Sequence, residues 1–309
     1  MKETDLTYHK AVMLQESIQG MNIRPEGTYV DVTFGAGGHS GAILNSLNEK
    51  GRLYAFDQDT DAQANAIDDP RFVLINSNFK FIKNYLKTFG ITQVDGILAD
   101  LGVSSHQFDS EERGFSIRSN GELDMRMNTQ KQLKACDIVN TYSAEELQRI
   151  FSLYGEISNA KKLANTIVQE RSNAIFKYSL DFQHRIASCI TPHKEYKYLA
   201  QVYQALRIEV NKELEALEML LLQSKDLIRE GGRLVVISYH SLEDRMVKQF
   251  MRSGNMEDKI EKDFYGNILS PFMPVNHKAI TPSANELENN NRSRSAKLRI
   301  AERRGNGAA

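Results

Sequence analysis

Residues suited to binding a nucleoside lie near the start of the chain. Gly35, Gly37 and Gly38 follow the strand-like run 29–32. A second apolar run ends in an acid, Asp57, about twenty residues after this turn. Glycine lets a backbone pass close to a ligand, and an acid at this spacing can accept hydrogen bonds from ribose hydroxyls. The pattern predicts the nucleoside-binding half of an α/β domain.

The third glycine position of the turn bears on which nucleoside binds. A dinucleotide fingerprint requires glycine where this chain has Ser40, and Gly41 comes one residue late. A nicotinamide cofactor is therefore disfavoured but stays open. Asp31, the glycine turn and Asp57 match the order that many S-adenosylmethionine enzymes use. A tight strand-to-helix turn without a ligand is the structural alternative.

A second polar segment, Asp100–Ser105, follows the fourth strand-like run. Amine methyltransferases of this architecture usually bind the substrate amine here. A methyl sulfonium is already a strong electrophile, so the protein mainly has to align the nucleophile and exclude water. Asp100 is suited to accepting a hydrogen bond from an exocyclic amine or from the cofactor's amino group. A helix cap or turn former is the alternative role for this residue.

The elements that must position these residues alternate in the manner of a parallel sheet with covering helices. The predicted strands are 29–32, 53–56, 72–75 and 96–99, and the helix-compatible segments between them are 40–49, 62–67 and 79–89. Helical patterns follow Asp100, among them a capping box at Ser143. We predict a Rossmann-like class I S-adenosylmethionine-dependent methyltransferase sheet with an inserted, mainly helical second domain.

The second half of the chain is expected to return to this sheet. One long amphipathic helix is predicted from Val202 to Arg229, ended by Gly231-Gly232 and followed by a buried strand over 233–238. Two final strands are predicted at 278–282 and 295–301, joined by the polar connection 285–291. The predicted domains are residues 1–108 and 205–309 for the methyltransferase domain, and 109–204 for an inserted substrate-recognition domain.

Composition narrows the class of protein. The 309 residues are 41% hydrophobic and 26% charged, which is typical of a globular enzyme, and no apolar run approaches the length of a membrane span. The first residues lack the apolar core of a secretory signal, so we predict a cytoplasmic enzyme without a membrane partner. Cys136 and Cys189 lack metal-ligand spacing, and we predict neither a metal site nor a disulfide.

The formal net charge is −1, so nucleic-acid binding would have to depend on a local patch. A basic patch lies near the C-terminus and consists of Arg292, Arg294, Lys297, Arg299, Arg303 and Arg304. We predict RNA contacts for Arg292, Arg294 and Lys297. A solvated edge strand protected by its charges is the alternative.

Long motifs follow one another along nearly the whole chain. They are His9–Leu14, Asp31–Ser40, Asp100–Ser105 with Gln107 and Asp109, Arg113–Ser116, Leu123–Met127, Gln204–Asn211, Gly231–Arg245 and Arg292–Arg299. On these motifs the chain resembles the bacterial 16S ribosomal RNA cytosine-N(4) methyltransferase family, known as RsmH or MraW. The resemblance implies S-adenosylmethionine as methyl donor. It also implies, as target, a cytidine of the 16S rRNA in the decoding (P-site) region of the small ribosomal subunit.

The resemblance also implies roles for single residues. Gly37, Gly38 and His39 are expected along the methionine and ribose of the cofactor, Asp57 at the ribose, Phe79 near the adenine, and Asp100 and Gln107 at the rest of the cofactor. On the substrate side the candidates for catalysis are Asp100, Ser104, Ser105, Tyr239 and His240. The target cytosine is expected to turn out of its stack into a cleft between the sheet and the inserted domain.

Two departures from the family pattern bear on RNA binding. The chain has Lys197–Gln204 where the family commonly has a His-Pro-Ala-Thr-Arg-Thr-Phe-Gln run, and Glu122 replaces a usual proline. RNA contacts of the missing His and Arg are therefore in doubt.

Three other functions stay open at this stage. They are methylation of DNA or protein amines, a cofactor-binding ribosome-assembly factor without catalysis, and a nicotinamide enzyme. The Pro-Pro-aromatic signature of DNA amino-methyltransferases is missing after Asp100, which argues against DNA. The oligomeric state also stays open, with a homodimer as one alternative.

Overall fold

A computed structural model describes residues 11–266 and 268–305. The chain divides into two compact units. The first unit includes the chain up to Gly102 and the chain from Glu215 onward, and the second unit is Val103–Leu214. The predicted insertion 109–204 lies within the second unit, and its role in substrate recognition stays a prediction. His9 and Lys10 of the first motif lie outside the described residues.

The described residues form seven strands and twelve α-helices, here numbered in chain order. The strands are β1 Thr28–Asp31, β2 Arg52–Asp57, β3 Phe72–Asn76, β4 Val94–Asp100, β5 Ile228–Ser238, β6 Phe272–Pro274 and β7 Lys297–Arg303. The helices are α1 Leu14–Met21, α2 Gly38–Ser46, α3 Ile82–Thr88, α4 Ser105–Asp109, α5 Ala135–Thr141, α6 Ala144–Leu153, α7 Ala160–Arg171, α8 Ser179–Arg185, α9 Glu195–Asn211, α10 Glu213–Leu227, α11 Ser241–Ser253 and α12 Ala284–Asn289.

The strands of the first unit form one mixed sheet in the order β3-β2-β1-β4-β5-β7-β6. The strands β1 to β5 pair in parallel, and β7 runs antiparallel between β5 and β6. This arrangement confirms the predicted Rossmann-like α/β fold. The carboxyl ends of the parallel strands share one edge of the sheet, which is where such folds bind ligands.

Neighbouring residues of a strand point to opposite faces of the sheet. Apolar side chains therefore stand on both faces, and helices cover both. Val30 and Ile97 belong to one buried cluster, and Tyr29 and Leu98, their neighbours in sequence, belong to the other. The strands are thus buried on both faces, which explains why the sequence shows continuous apolar runs there.

The predicted long helix over 202–229 is wrong. The structure has two helices, α9 and α10, separated at Lys212, whose φ is +54°. The break has a tertiary cause: the buried Asn211 side chain accepts a hydrogen bond from Met127 N (2.8 Å) and donates one to Met125 O (2.7 Å). The pair Gly231-Gly232 does not end a helix either. It lies inside β5, beside a shift in pairing register between Val94 and Gly96.

The C-terminal elements also differ from the prediction. The segment 278–282 contributes an isolated bridge from Ile280 to Leu298, and the sixth strand is instead the unpredicted β6. The predicted polar connection 285–291 contains the helix α12, which the Ser283 hydroxyl caps by accepting a hydrogen bond from Glu286 N.

The second unit is built around its own core of helices α5 to α9. Leu147, Ile150 and Phe151 on α6 are buried, as their spacing predicts, and Ser143 and Glu146 form the predicted capping box. In the described part of the chain, none of the helices combines the length and the apolar character that crossing a membrane would require.

Candidate cofactor and substrate site

Each of the three strands β1, β2 and β4 ends in an aspartate, namely Asp31, Asp57 and Asp100. The strands are neighbours in the sheet and run in parallel, so these carboxylates line the same edge. Burial raises the pKa of all three. The fold therefore concentrates acidic groups where the sequence predicts a nucleoside site.

Asp31 is fully buried beneath the glycine turn. One carboxylate oxygen accepts a hydrogen bond from the Ser40 hydroxyl (2.7 Å), and the other accepts one from Thr33 N (3.1 Å). Ser40 stands where a dinucleotide fingerprint would have its third glycine. The side chain at this position thus fixes the carboxylate at the end of β1.

The glycine turn requires its glycines for its own packing. Gly37 has a φ of +80°, and a Cβ there would lie 3.0 Å from the Phe34 ring. A Cβ on Gly38 would lie 2.9 Å from the Cβ of Ala11. The turn therefore keeps its path only without side chains at these positions.

Asp57 is joined directly to the glycine turn. Its Oδ2 accepts a hydrogen bond from Gly35 N (2.8 Å), and its Oδ1 accepts one from Asp59 N (2.9 Å). Desolvation raises the pKa of Asp57 to about 6. A carboxylate oxygen accepts more than one hydrogen bond, so both oxygens retain capacity for a ribose diol.

Asp100 is held through both its backbone and its side chain. Its amide donates to the Thr33 hydroxyl (2.6 Å), and its Oδ1 accepts a hydrogen bond from the Tyr239 hydroxyl (2.6 Å). Burial raises the pKa of Asp100 to about 6, although His39 and Tyr239 act in the opposite direction. Its side chain is 21% exposed, so a ligand can reach it.

His39 lies on the other side of this carboxylate. Its Nε2 is 3.1 Å from Val12 O, and its Nδ1 is 3.8 Å from Asp100 Oδ2. Because a carbonyl only accepts hydrogen bonds, Nε2 carries a proton. When the ring is neutral, Nδ1 turns its lone pair toward Asp100. A donor placed between Nδ1 and Oδ2, such as an amine, would satisfy both acceptors.

The other predicted substrate-side residues form helix starts. His240 caps α11, where its Nδ1 lies 3.4 Å from Glu243 N and its Nε2 lies 3.1 Å from Glu243 Oε1. In the second unit Ser104 caps α4, which begins at Ser105. Ser104 and Gln107 exchange hydrogen bonds there: Gln107 N donates to Ser104 Oγ, and Ser104 N donates to Gln107 Oε1.

These caps give His240, Ser104 and Gln107 structural roles, and their predicted contacts with substrate or cofactor stay predictions. Phe79 begins a short 3₁₀ helix after β3 and packs half-buried against the sheet core. Its place beside the adenine likewise stays a prediction. The sequence reasoning missed Thr33, although its position two residues after the strand-end Asp31 was a usable signal.

The C-terminal cations have unequal surroundings. Arg292 and Arg294 are exposed on the 3₁₀ turn Asn291–Ser295. Lys297 is half-buried on β7, and its Nζ lies 3.1 Å from Asp244 Oδ2. Lys297 and its neighbour Arg299 lower the pKa of Asp244. The charge of Lys297 therefore helps to hold β7 against α11, which weakens its case as an RNA contact.

The fold and the acidic edge together define a class of protein. The seventh strand of the sheet runs antiparallel between the fifth and the sixth, and β1, β2 and β4 each end in an acid. This is the sheet of a class I methyltransferase. The model of the MraW methylase family matches residues 6–304, and the chain belongs to this family. The resemblance seen in the sequence is thereby confirmed, as is S-adenosylmethionine as the methyl donor.

Relatives match over almost their full length. The chain is 55% identical to ribosomal RNA small subunit methyltransferase H of Bacteroides thetaiotaomicron, over 98% of this chain and 100% of that protein. It is 52% identical to the protein of the same name from Flavobacterium johnsoniae, over 97% and 99% of the two chains. The solved structure of an rRNA methylase from Streptococcus thermophilus covers 96% of this chain and 99% of its own, with 12% identity and a TM-score of 0.40.

Proposed function

We propose that this protein transfers a methyl group from S-adenosylmethionine to the exocyclic N(4) amine of a cytidine in the P-site region of 16S rRNA. The observation that carries the proposal is Asp100, a strand-end carboxylate held by Tyr239 and flanked by His39. The choice of RNA is supported by the relatives, which are named as small-subunit rRNA methyltransferases. Such a substrate implies that the protein works in the cytoplasm.

The charge of the strand edge supports this cofactor. S-adenosylmethionine carries a sulfonium and an ammonium group, and Asp31, Asp57 and Asp100 line the edge of the sheet that would receive them. Opposite charges a few ångströms apart attract each other most strongly in partly buried sites. The pyrophosphate of a nicotinamide dinucleotide would instead be repelled by this acidic edge. The same observation therefore argues against the nicotinamide alternative.

The residues at Asp100 are suited to preparing an amine for attack. When bound, S-adenosylmethionine supplies an electrophilic methyl group. The lone pair of a cytosine amine is delocalised into the ring, and acceptors on its N–H groups favour its localisation on nitrogen. Asp100 Oδ1 is oriented by Tyr239, which leaves Oδ2 and His39 Nδ1 as acceptors for N–H donors. Asp100 is ionised above a pKa of about 6, so this acceptor is present at neutral pH.

A methyl-transfer assay tests the proposal. Small subunits from cells that lack the modification are incubated with radiolabelled S-adenosylmethionine, with large subunits and DNA as alternative substrates. We expect label in 16S rRNA alone. Asp100→Asn should reduce kcat by about 100-fold or more, because it replaces an ionised acceptor in the reacting site. Preferred labelling of DNA, or full activity of Asp100→Asn, would contradict the proposal.

A further inference from the structure

The second unit carries an exposed surface on which cations lie over aromatic rings. The guanidinium of Arg118 is 5.8 Å from the centre of the Tyr196 ring, and Lys177 Nζ is 5.1 Å from the centre of the Tyr178 ring. Tyr196 is 61% exposed and Tyr178 is 42% exposed. These four residues are here called the Arg118–Tyr196 face. Large aromatic side chains so exposed in a folded domain are typical of binding surfaces.

The backbone beneath this face is firmly held. The residues on either side of Arg118 are tied to α8, since Gln183 Nε2 donates to Ile117 O (3.1 Å) and Ser179 Oγ donates to Ser119 O (2.8 Å). Tyr178 pairs with Glu122 in an isolated bridge of the same segment, and Glu122 Oε1 lies 3.6 Å from Lys177 Nζ. Arg118 and the Lys177–Tyr178 pair therefore lie on adjoining segments.

The charge of the surroundings favours an anionic partner. The exposed segment around Tyr196 contains Lys194 and Lys197. Its one acid, Glu195, accepts a hydrogen bond from His193 N (3.0 Å). Positive charge therefore exceeds negative charge beside the Tyr196 ring. Phosphate groups complement such a surface.

The rings distinguish RNA from other anions. Unpaired bases stack on tyrosine rings and on arginine planes, whereas an acidic peptide requires only the cations. Arg118 covers one side of the Tyr196 ring, and the exposed fraction of Tyr196 leaves ring surface for a base.

The segment that departs from the family pattern does not offer such a surface. In Lys197–Gln204 the side chains of Val202 and Tyr203 are buried. Gln201 and Gln204 donate hydrogen bonds to Gly155 O and Tyr154 O within the second unit. The exposed cations of this region are instead Lys197, at the start of the segment, and residues that precede it in sequence.

We propose that the Arg118–Tyr196 face binds unpaired nucleotides of the RNA substrate, with a base stacked on Tyr196 and a phosphate beside Arg118. This inference rests on the proposed function, because it takes the substrate to be RNA.

Substitutions in the full-length protein test the role of this face. Binding is measured by fluorescence anisotropy with a labelled fragment of 16S rRNA, and KM and kcat are measured with unmodified small subunits. Tyr196→Ala should raise Kd and KM by about 5- to 100-fold, as expected for the loss of one stacked base, and Tyr196→Phe should restore binding. Arg118→Gln should reduce the slope of log K against log salt by about one.

Two controls keep the result interpretable. Lys87→Gln removes an exposed cation from α3 of the first unit and should leave both binding and salt slope unchanged. The affinity of each variant for S-adenosylmethionine, measured by calorimetry, should equal that of the wild type, which shows that the variant is folded.

The outcomes separate this inference from the proposed function. If the wild type methylates 16S rRNA but Tyr196→Ala binds the fragment as tightly as the wild type does, the inference is overturned and the proposed function stands. Loss of affinity for intact subunits without loss for protein-free rRNA would assign the face to a ribosomal protein, and would overturn it too. If the wild type fails to methylate rRNA, the proposed function itself fails.

Discussion

We expect the hydrogen bond from Tyr239 to Asp100 to set the pH dependence of the proposed reaction. In Tyr239→Phe this 2.6 Å bond is lost, and with it a contact that favours the ionised carboxylate. Hydrogen bonds to charged groups contribute about 1.5–3 kcal/mol, which corresponds to about 1–2 pKa units. The pKa of Asp100, about 6 in the wild type, should therefore rise to about 7–8 in the variant.

The sign of the effect follows from the acid's role as an acceptor. At pH 7 about nine-tenths of the wild-type Asp100 is ionised, against about a half to a tenth in Tyr239→Phe. The measurement is kcat/KM from pH 5.5 to 9, in which the inflection reports the pKa of the free enzyme. We expect the acidic limb of the profile to shift upward, with most of the activity regained at high pH.

A matched variant checks that the shift is local. Tyr203→Phe removes a hydrogen bond of another tyrosine hydroxyl, the one that it accepts from Gln183 Nε2 in the second unit, and should leave the inflection near its wild-type position. An unchanged inflection in Tyr239→Phe, with activity lowered equally at every pH, would refute the reasoning.

Three further predictions concern the turn, the helix break and the C-terminal cations. Gly37→Ala should cost about 1–2 kcal/mol in the free energy of unfolding, measured in urea, and should weaken cofactor binding, because its φ is +80°. Asn211→Ala should cost about 1–3 kcal/mol, since it leaves Met127 N without its buried acceptor. Replacing both Arg292 and Arg294 by Gln should weaken RNA binding and reduce its salt slope by about two.

Each of these has a control in the same region. Gly41→Ala should stabilise α2 slightly, since a Cβ there meets no atom within 4 Å. Asn173→Ala, at an exposed position, should change the unfolding free energy by less than about 0.5 kcal/mol. Lys297→Gln should alter the salt slope less than the paired substitutions do, because Lys297 is bound to Asp244. If a variant and its control change the measured quantity equally, the corresponding prediction is wrong.

The parallel strands could be predicted from the sequence because their signal is local. Strands buried on both faces read as continuous apolar runs, and the structure places β1 to β4 within two residues of the predicted limits. The helix break at Lys212 could not be predicted, since the cause is a contact between Asn211 and a segment more than eighty residues away. The strand β6 has only three residues and includes Pro274, so it gives no strand pattern.

The site was predictable in part for the same reason. Asp31, Asp57 and Asp100 each stand at the end of an apolar run, where local spacing marks them. The hydrogen bond between Tyr239 and Asp100 joins residues 139 positions apart, and no local pattern encodes it. No local pattern encodes the pairing of Lys297 with Asp244 either. Counting the cations in the sequence therefore overestimated how many of them are available to bind RNA.

The position of the methyl group on the product nucleoside tests the central claim most directly. After reaction with unmodified small subunits, the 16S rRNA is digested and its nucleosides are separated and identified by mass spectrometry. An amine held by Asp100 predicts N(4)-methylcytidine, which should form about 100-fold or more slowly when Asp100→Asn replaces the wild type. Methylation at carbon 5, or on another base, would contradict it, because neither requires an acceptor for the N–H groups of a cytosine amine.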